Sequence, residues 1–145
     1  MQRVKEASVR VAGELVGRTG KGLLIYLGIG RNDTEADLGY LVQKIAGLRI
    51  FSDDNGHMNR SVVEVGGTAL AVSQFTLFGD VRRGKRPSFT DAMAPAQAEA
   101  MYEAFVEALR RAGVPCETGV FGAMMDIASV NDGPVTILVD SEKQF

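Results

Sequence analysis

"GLLIYLGI", residues 22–29, is the stretch that decides the fold. It carries no charge and does not alternate apolar with polar positions. A strand that reads this way is buried on both faces, so the chain must cover it from two sides. Upstream, "RVKEASVRV" (3–11) sets Val4, Ala7, Val9 and Val11 in a partly alternating strand pattern. "GELVGRTG" (13–20) continues it through a glycine-rich hairpin.

Downstream, "NDTEADLGYLVQKIAGLRIF" (32–51) predicts a helix. Asp33 or Thr34 can cap its start, and acids crowd the first turn, where the helix dipole favours them. Leu38, Leu41, Val42, Ile45 and Leu48 recur at helical spacing on one apolar face. Phe51 leads into "SDDNGHMN" (52–59), where Asn55-Gly56 is a strong turn signal. "SVVEV" (61–65) reads as a short strand, Gly66-Gly67 as a tight turn, and "TALAVSQFTLF" (68–78) as a long strand. After a polar loop, Pro95 suits the first position of a helix. Ala98, Met101, Phe105 and Leu109 give that helix its buried face, and Gly113 with Pro115 stops it. "ETGVFGAMMDIASV" (117–130) and "VTILVD" (135–140) supply the last strands. Hairpin signals with only two helices predict an α/β protein of mixed, largely antiparallel sheets, a single domain over 1–145. Alternating βαβ units are not evident, which argues against a Rossmann fold.

Composition narrows the function. Of 145 residues, 46% are hydrophobic and 23% charged, as in a folded, non-fibrous protein. The net charge of -2 argues against a general nucleic-acid coat protein, so a polyanion would have to meet a local basic patch. Cys116 is the only cysteine, which rules out an intramolecular disulfide and suits a reducing compartment. The charged N-terminus lacks a signal-peptide core, and no apolar run is long enough to span a membrane. A cytoplasmic location is expected, in which the sequons at Asn32 and Asn59 carry no glycosylation meaning.

Side chains for common catalysis are scarce. His57, the sole histidine, sits in a polar turn, and a Ser–His–acid triad would have to use it. One histidine and one cysteine cannot build a usual zinc site. Cys116 has no evident base partner and reads as a small buried residue. "GRTGKG" (17–22) lacks P-loop spacing and precedes a strand, so it reads as a turn. Three stretches stand out instead. In "SQFTLF" (73–78) a strand would put Gln74, Thr76 and Phe78 on one face with Val72, and Ser73, Phe75 and Leu77 on the other. Polar groups on both faces need partners. In "VNDGPVT" (130–136) turn residues run into Pro134, which has no N–H to give a sheet. In "DVRRGKRPSF" (80–89) Arg82, Arg83, Lys85 and Arg86 crowd a glycine-containing loop beside Phe89. Such a cluster can hold phosphates and leave an aromatic ring for stacking, or it can be a solvated charged loop.

"QRVKEASV", "KIAGLRIF", "HMNRSV", "VSQFTLFGD", "GKRPSF", "TGVFGAMM" and "VNDGPVT" occur here in the order seen in D-aminoacyl-tRNA deacylases. The chain resembles that family over nearly its whole length, and "SQFTL" paired with "NDGPVT" is specific to it. The resemblance implies β/β/α layers with helices packed on one side, and a homodimer with active sites at the subunit interface. It implies hydrolysis of the ester between a D-amino acid and the terminal ribose of tRNA, with glycine mischarged on tRNA as a further substrate. It implies no cofactor, no metal and no membrane partner; the partner is the tRNA 3′ adenosine and acceptor stem. The family's cis Gly–Pro peptide, inserted into the partner's site, falls here on Gly133 and Pro134, with Ser73, Gln74, Phe75 and Thr76 as the companion strand. Arg3 corresponds to the arginine that holds the Gly–Pro loop, and Met125 to a methionine lining the pocket. Thr136, Phe89 and Arg86 complete the expected substrate-binding set. Two departures are the start at Met1-Gln2-Arg3, which reads as a clipped first strand, and Met124 where an acid is expected.

An aminoacyl ester is already activated, so positioned water and oxyanion donors suffice. The expectation is that the N–H groups around Phe75 and Thr76 bind the ester carbonyl, with the substrate's 2′-OH helping to activate water. Rival readings are Thr76 or Thr136 as a covalent nucleophile, a non-catalytic tRNA- or nucleotide-binding module, and a structural dimer with no activity.

Overall fold

The computed structural model describes residues 1–144. In chain order it contains β1 (Gln2–Val11), β2 (Glu14–Thr19), β3 (Gly22–Leu27), α1 (Glu35–Gly47), β4 (Phe51–Ser52), β5 (Met58–Arg60) and β6 (Thr68–Ser73). A 3-10 turn (Phe75–Phe78), α2 (Pro95–Arg111), β7 (Cys116–Thr118) and β8 (Asp126–Thr136) follow.

β3 is buried on both faces, as its composition requires. Leu23, Ile25 and Leu27 join Val42 and Ile45 of α1 and Phe105, Val106 and Leu109 of α2 in the main core. Leu24 points the other way, into a second core with Val4, Ala7 and Val9 of β1 and Leu70 and Val72 of β6. Fully burying one such aliphatic side chain is worth about 1.5–3 kcal/mol, so both cores hold β3 in place. Both helices therefore lie on one side. Thr34 caps the start of α1 and shares a capping box with Asp37. α2 starts with Pro95 at its first position.

The sheet is mixed. β1 is antiparallel to β2, β3 and β8. β3–β6 and β6–β7 are parallel. The parallel pairs need crossovers, and α1 and α2 lie in them, so βαβ connections do exist here. They escaped the sequence reading because a hairpin (β4–β5) and a long polar loop separate each helix from a flanking strand.

Three other expectations change. "GRTGKG" is a bend and not a reversal. Val4 faces Gly22 and Ala7 faces Thr19, three residues further along each strand, so β2 and β3 keep one register along β1 across the bend, from Gln2 to Val9. "SVVEV" is a turn: Glu64 Oε2 accepts from Ser61 N (2.6 Å) and Ser61 Oγ accepts from Glu64 N (3.2 Å). That reciprocal side-chain pairing outcompetes the β propensity of Val62 and Val63. "VTILVD" is strand only to Thr136, although Ile137 N still donates to Met1 O (2.9 Å).

The bend lays β2 against β6 and β7, curling the sheet. Arg18 N donates to Glu117 Oε2 (2.7 Å) across that contact. A Cβ on Gly17 would sit 2.3 Å from the Thr118 carbonyl oxygen, closer than any side chain tolerates. Gly17→Ala is therefore expected to lower the unfolding free energy by about 1–3 kcal/mol, the usual cost of overpacking. Urea denaturation checks this, and an unchanged midpoint would show that β2 does not press on β7.

Candidate active site

β6 stops at Ser73 because β3, its partner, stops at Leu27. Gln74 N still donates to Leu27 O (2.8 Å), and then the chain turns. Leu77 N donates to Gln74 O (3.2 Å) and Gly79 N to Thr76 O (3.0 Å). The expected long strand over 68–78, with its two mixed faces, is thus a six-residue strand followed by a 3-10 turn. Gly28 makes room for it: a Cβ there would meet Leu77 and Phe78 at 3.1 Å.

The turn changes what is exposed. Phe75, Thr76 and Leu77 all face outward. The first N–H groups of a helical turn have no partner within it, which leaves those of Phe75 and Thr76 at its open end. The Gln74 side-chain amide donates to Thr76 Oγ1, so these two polar side chains satisfy one another locally. Phe89 packs its ring against Phe75, centroids 5.1 Å apart and interplanar angle 72°. Arg86 is exposed in the loop just before it. Met125 belongs to the same region: its sulfur crowds Gly119, and Gly119 N donates to Ala71 O (3.2 Å), two residues before Ser73. Met124 is almost wholly exposed.

The second cluster lies on β8. The stretch 130–136 is not a hairpin turn but a bulge within a strand. Thr136 pairs with Gln2 and Asn131 with Val4, so β8 takes five steps where β1 takes two. The extra residues loop outward with Gly133 and Pro134 exposed, while Val135 turns in and is buried. A bulge tolerates Pro134, which has no N–H for a ladder. The Gly133–Pro134 peptide bond is cis. Arg3 pins the bulge from β1: its Nε lies 2.9 Å from Asp132 Oδ2, and Nη1 donates to Ile50 O. The Nε contact is an ion pair without hydrogen-bond alignment. The Asn131 side-chain amide donates to Arg3 O (2.8 Å) and Val135 O (3.1 Å), closing the bulge's neck. Gln2 Nε2 donates to Thr136 Oγ1 (3.2 Å). Composition marked Asn131 and Asp132 as turn residues; their anchoring roles needed the register.

A single chain does not bring the two clusters together. β1 and β3 stand between β6 and the bulge, three strand spacings or about 14 Å. A groove of about 730 Å³ lies elsewhere, between Lys5, Arg18, Thr68, Arg110 and Cys116. It shares no residue with either cluster, so its size does not make it the site. Cys116 at its edge is inert: burial pushes its thiol up to about 11. His57 sits exposed in the β4–β5 turn, where its backbone N–H donates to Asp53 Oδ1 (3.0 Å). Burial also pushes the Tyr102 phenol up to about 12, and its hydroxyl donates to Ala71 O (2.8 Å) beneath the first cluster.

Comparison with known proteins gives the family and the fold. A family model described as D-Tyr-tRNA(Tyr) deacylase matches residues 1–140. The D-aminoacyl-tRNA deacylase of Koribacter versatilis (strain Ellin345) is 59% identical over 145 residues, covering 100% of this chain and 97% of that protein. That of Thermus aquaticus is 56% identical over 144 residues, covering 99% and 95%. A solved structure named c-Myc DNA Unwinding Element Binding Protein superposes with a TM-score of 0.89 at 45% identity, over 94% of this chain and 93% of that one. A structure described as "a probable eukaryotic D-amino acid tRNA deacylase" shares the fold, with a TM-score of 0.76 at 21% identity over 92% of each. By fold and sequence this is a hydrolase of the deacylase class. More narrowly, the chain belongs to the D-Tyr-tRNA(Tyr) deacylase family.

Because the thiol ionises only near pH 11, Cys116→Ala is expected to keep full turnover and lose about 1 kcal/mol or slightly more of stability from the vacated volume. Native protein at pH 7.5 should resist iodoacetamide. Rapid alkylation with loss of activity would return Cys116 to the list of catalytic groups.

Proposed function

We propose that the protein hydrolyses the ester linking a D-amino acid, or mischarged glycine, to the 3′ adenosine of tRNA. The observation that carries this reading is full-length similarity, at up to 59% identity, to proteins named for that activity. The site's chemistry fits it: an activated ester needs oxyanion donors more than a strong nucleophile, and one such donor contributes about 2.7–4 kcal/mol. In this reading the Phe75 and Thr76 N–H groups receive the developing oxyanion. Ser73 and Gln74 hold the turn and the terminal adenosine, with Phe89, Arg86 and Met125 lining the approach. The protein acts as a homodimer in the cytoplasm, and the bulge of one protomer enters the first cluster of its partner. There the Gly133 and Pro134 carbonyls accept the substrate's α-amino group, so an L side chain meets backbone and a D side chain points outward. Selectivity by clash cannot reject glycine.

A deacylation assay on D-Tyr, L-Tyr and Gly esters of tRNA tests this. D-Tyr and Gly esters should be cleaved and the L-Tyr ester spared. Arg3→Gln, which unpins the bulge, should cut D-Tyr turnover by about tenfold or more, the usual cost of misplacing a positioning group. Equal cleavage of D- and L-Tyr esters by the parent would end the chirality reading. Intact nucleic-acid binding without hydrolysis would favour a binding protein, the reading that the name of the 45% identical structure suggests for this fold.

Water and not threonine attacks in this mechanism, with the substrate's 2′-OH assisting. Thr76→Ala and Thr136→Ala should therefore retain turnover, and a 2′-deoxy terminal ribose should slow single-turnover hydrolysis. A loss on the order of 10⁴-fold in either threonine variant would mark a covalent nucleophile.

A further inference from the structure

The loop after the 3-10 turn is a built structure, not a free charged strand. Its stem is closed by two backbone hydrogen bonds, Asp80 N to Ser88 O (2.7 Å) and Ser88 N to Asp80 O (3.0 Å). Gly84 takes the left-handed conformation at its tip (φ 72°). Phe89 fastens the stem to Phe75, and a Cβ on Gly79 would lie 3.0 Å from the Phe89 ring. Behind it, Arg31 pairs with Asp91 while Met93 N donates to Ile29 O (2.9 Å), tying the far end to the end of β3.

The four cations of this loop are not equivalent. Arg82 is consumed: its Nε and Nη2 donate to the two oxygens of Asp80, both at 2.8 Å, and its backbone N–H to Oδ1 at 2.9 Å. That pairing holds the Asp80 carboxyl at about 2, so the contact persists across the working pH range. Arg83, Lys85 and Arg86 are exposed and have no acidic partner among the described residues. In a chain of net charge -2, three free cations on a stem fixed to the candidate catalytic turn make a local field of opposite sign.

We propose that Arg83, Lys85 and Arg86 grip backbone phosphates of the tRNA acceptor end, while Arg82 and Asp80 act only as the staple that aims them. This rests on the deacylase reading above and deepens it: the loop supplies affinity for tRNA beyond its terminal nucleotide, and the turn beside it supplies the chemistry. Phosphate contacts position without reading sequence, so the loop sets affinity and register but not the choice of tRNA.

The test compares D-tyrosyl-tRNA with D-tyrosyl ester on adenosine alone, using the parent and an Arg83→Gln/Lys85→Gln variant. Each phosphate contact contributes about 0.7–0.9 to the slope of log affinity against log salt. The variant is expected to raise KM for tRNA roughly tenfold at moderate salt, leave kcat in place, and flatten the salt slope by about 1.5. The adenosine ester, which has no phosphate to grip, should be cleaved equally by both proteins. A salt slope identical to the parent's would overturn the proposal. So would an equal loss on the adenosine ester, because the loop would then act through the site and not through the stem. Failure of the parent on both substrates would overturn the deacylase reading itself, which distinguishes the two failures.

Discussion

Burial of β3 on both faces is the constraint from which the rest follows. One apolar strand of six residues cannot be half wet, so the chain must bring cover from two directions. The helices supply one side, and the apolar residues of β1 and β6 on the curled face of the sheet supply the other. The curl depends on backbone approaching backbone at Gly17, where no side chain fits. The two cores therefore stand or fall together.

The same strand places the functional segments. At its C-terminal end, β6 loses its pairing partner and the chain folds into the 3-10 turn over Gly28. At its N-terminal end, β1 passes between β3 and β8, and Arg3 reaches from there to Asp132 and to Ile50 O. Arg3 is nearly buried, its side chain 11% exposed, and breaking a buried pair leaves an uncompensated charge. The bulge is held by the interior of the fold even though its tip is exposed.

Much of the fold was legible because it is written in local terms. The double-sided burial of "GLLIYLGI", the Thr34 cap and Pro95 at the head of α2 all follow from composition and spacing. What failed had a non-local cause. "SQFTLF" has strand-like residues, but a strand needs a neighbour, and none remains past Leu27. "VNDGPVT" has turn residues, yet β1 lies beside it with Gln2 paired to Thr136 and Val4 to Asn131, so the excess residues bulge instead of reversing the chain. "SVVEV" erred in the opposite direction, through a local Ser61–Glu64 pairing that propensity scales do not weigh. The candidate site residues were legible as unusual polar and glycine–proline segments, and a family pattern named them. Their supports, Asn131, Asp132 and the Asp80–Arg82 staple, were hidden because each acts through a partner fixed by register or loop closure.

The chemistry of the proposed site is drawn from backbone more than from side chains. With the thiol buried and the one histidine in the β4–β5 turn, the proposed mechanism relies on backbone N–H donors of the 3-10 turn and backbone carbonyls of the bulge. Backbone groups are poor nucleophiles but good fixed dipoles, and fixed dipoles act most strongly where charge develops. In the proposed mechanism they would also discriminate by position, since a backbone wall that admits a hydrogen excludes a carbon. The two clusters lie three strand spacings apart in one chain, so the proposed site, which needs both within reach of one substrate, calls for a second copy.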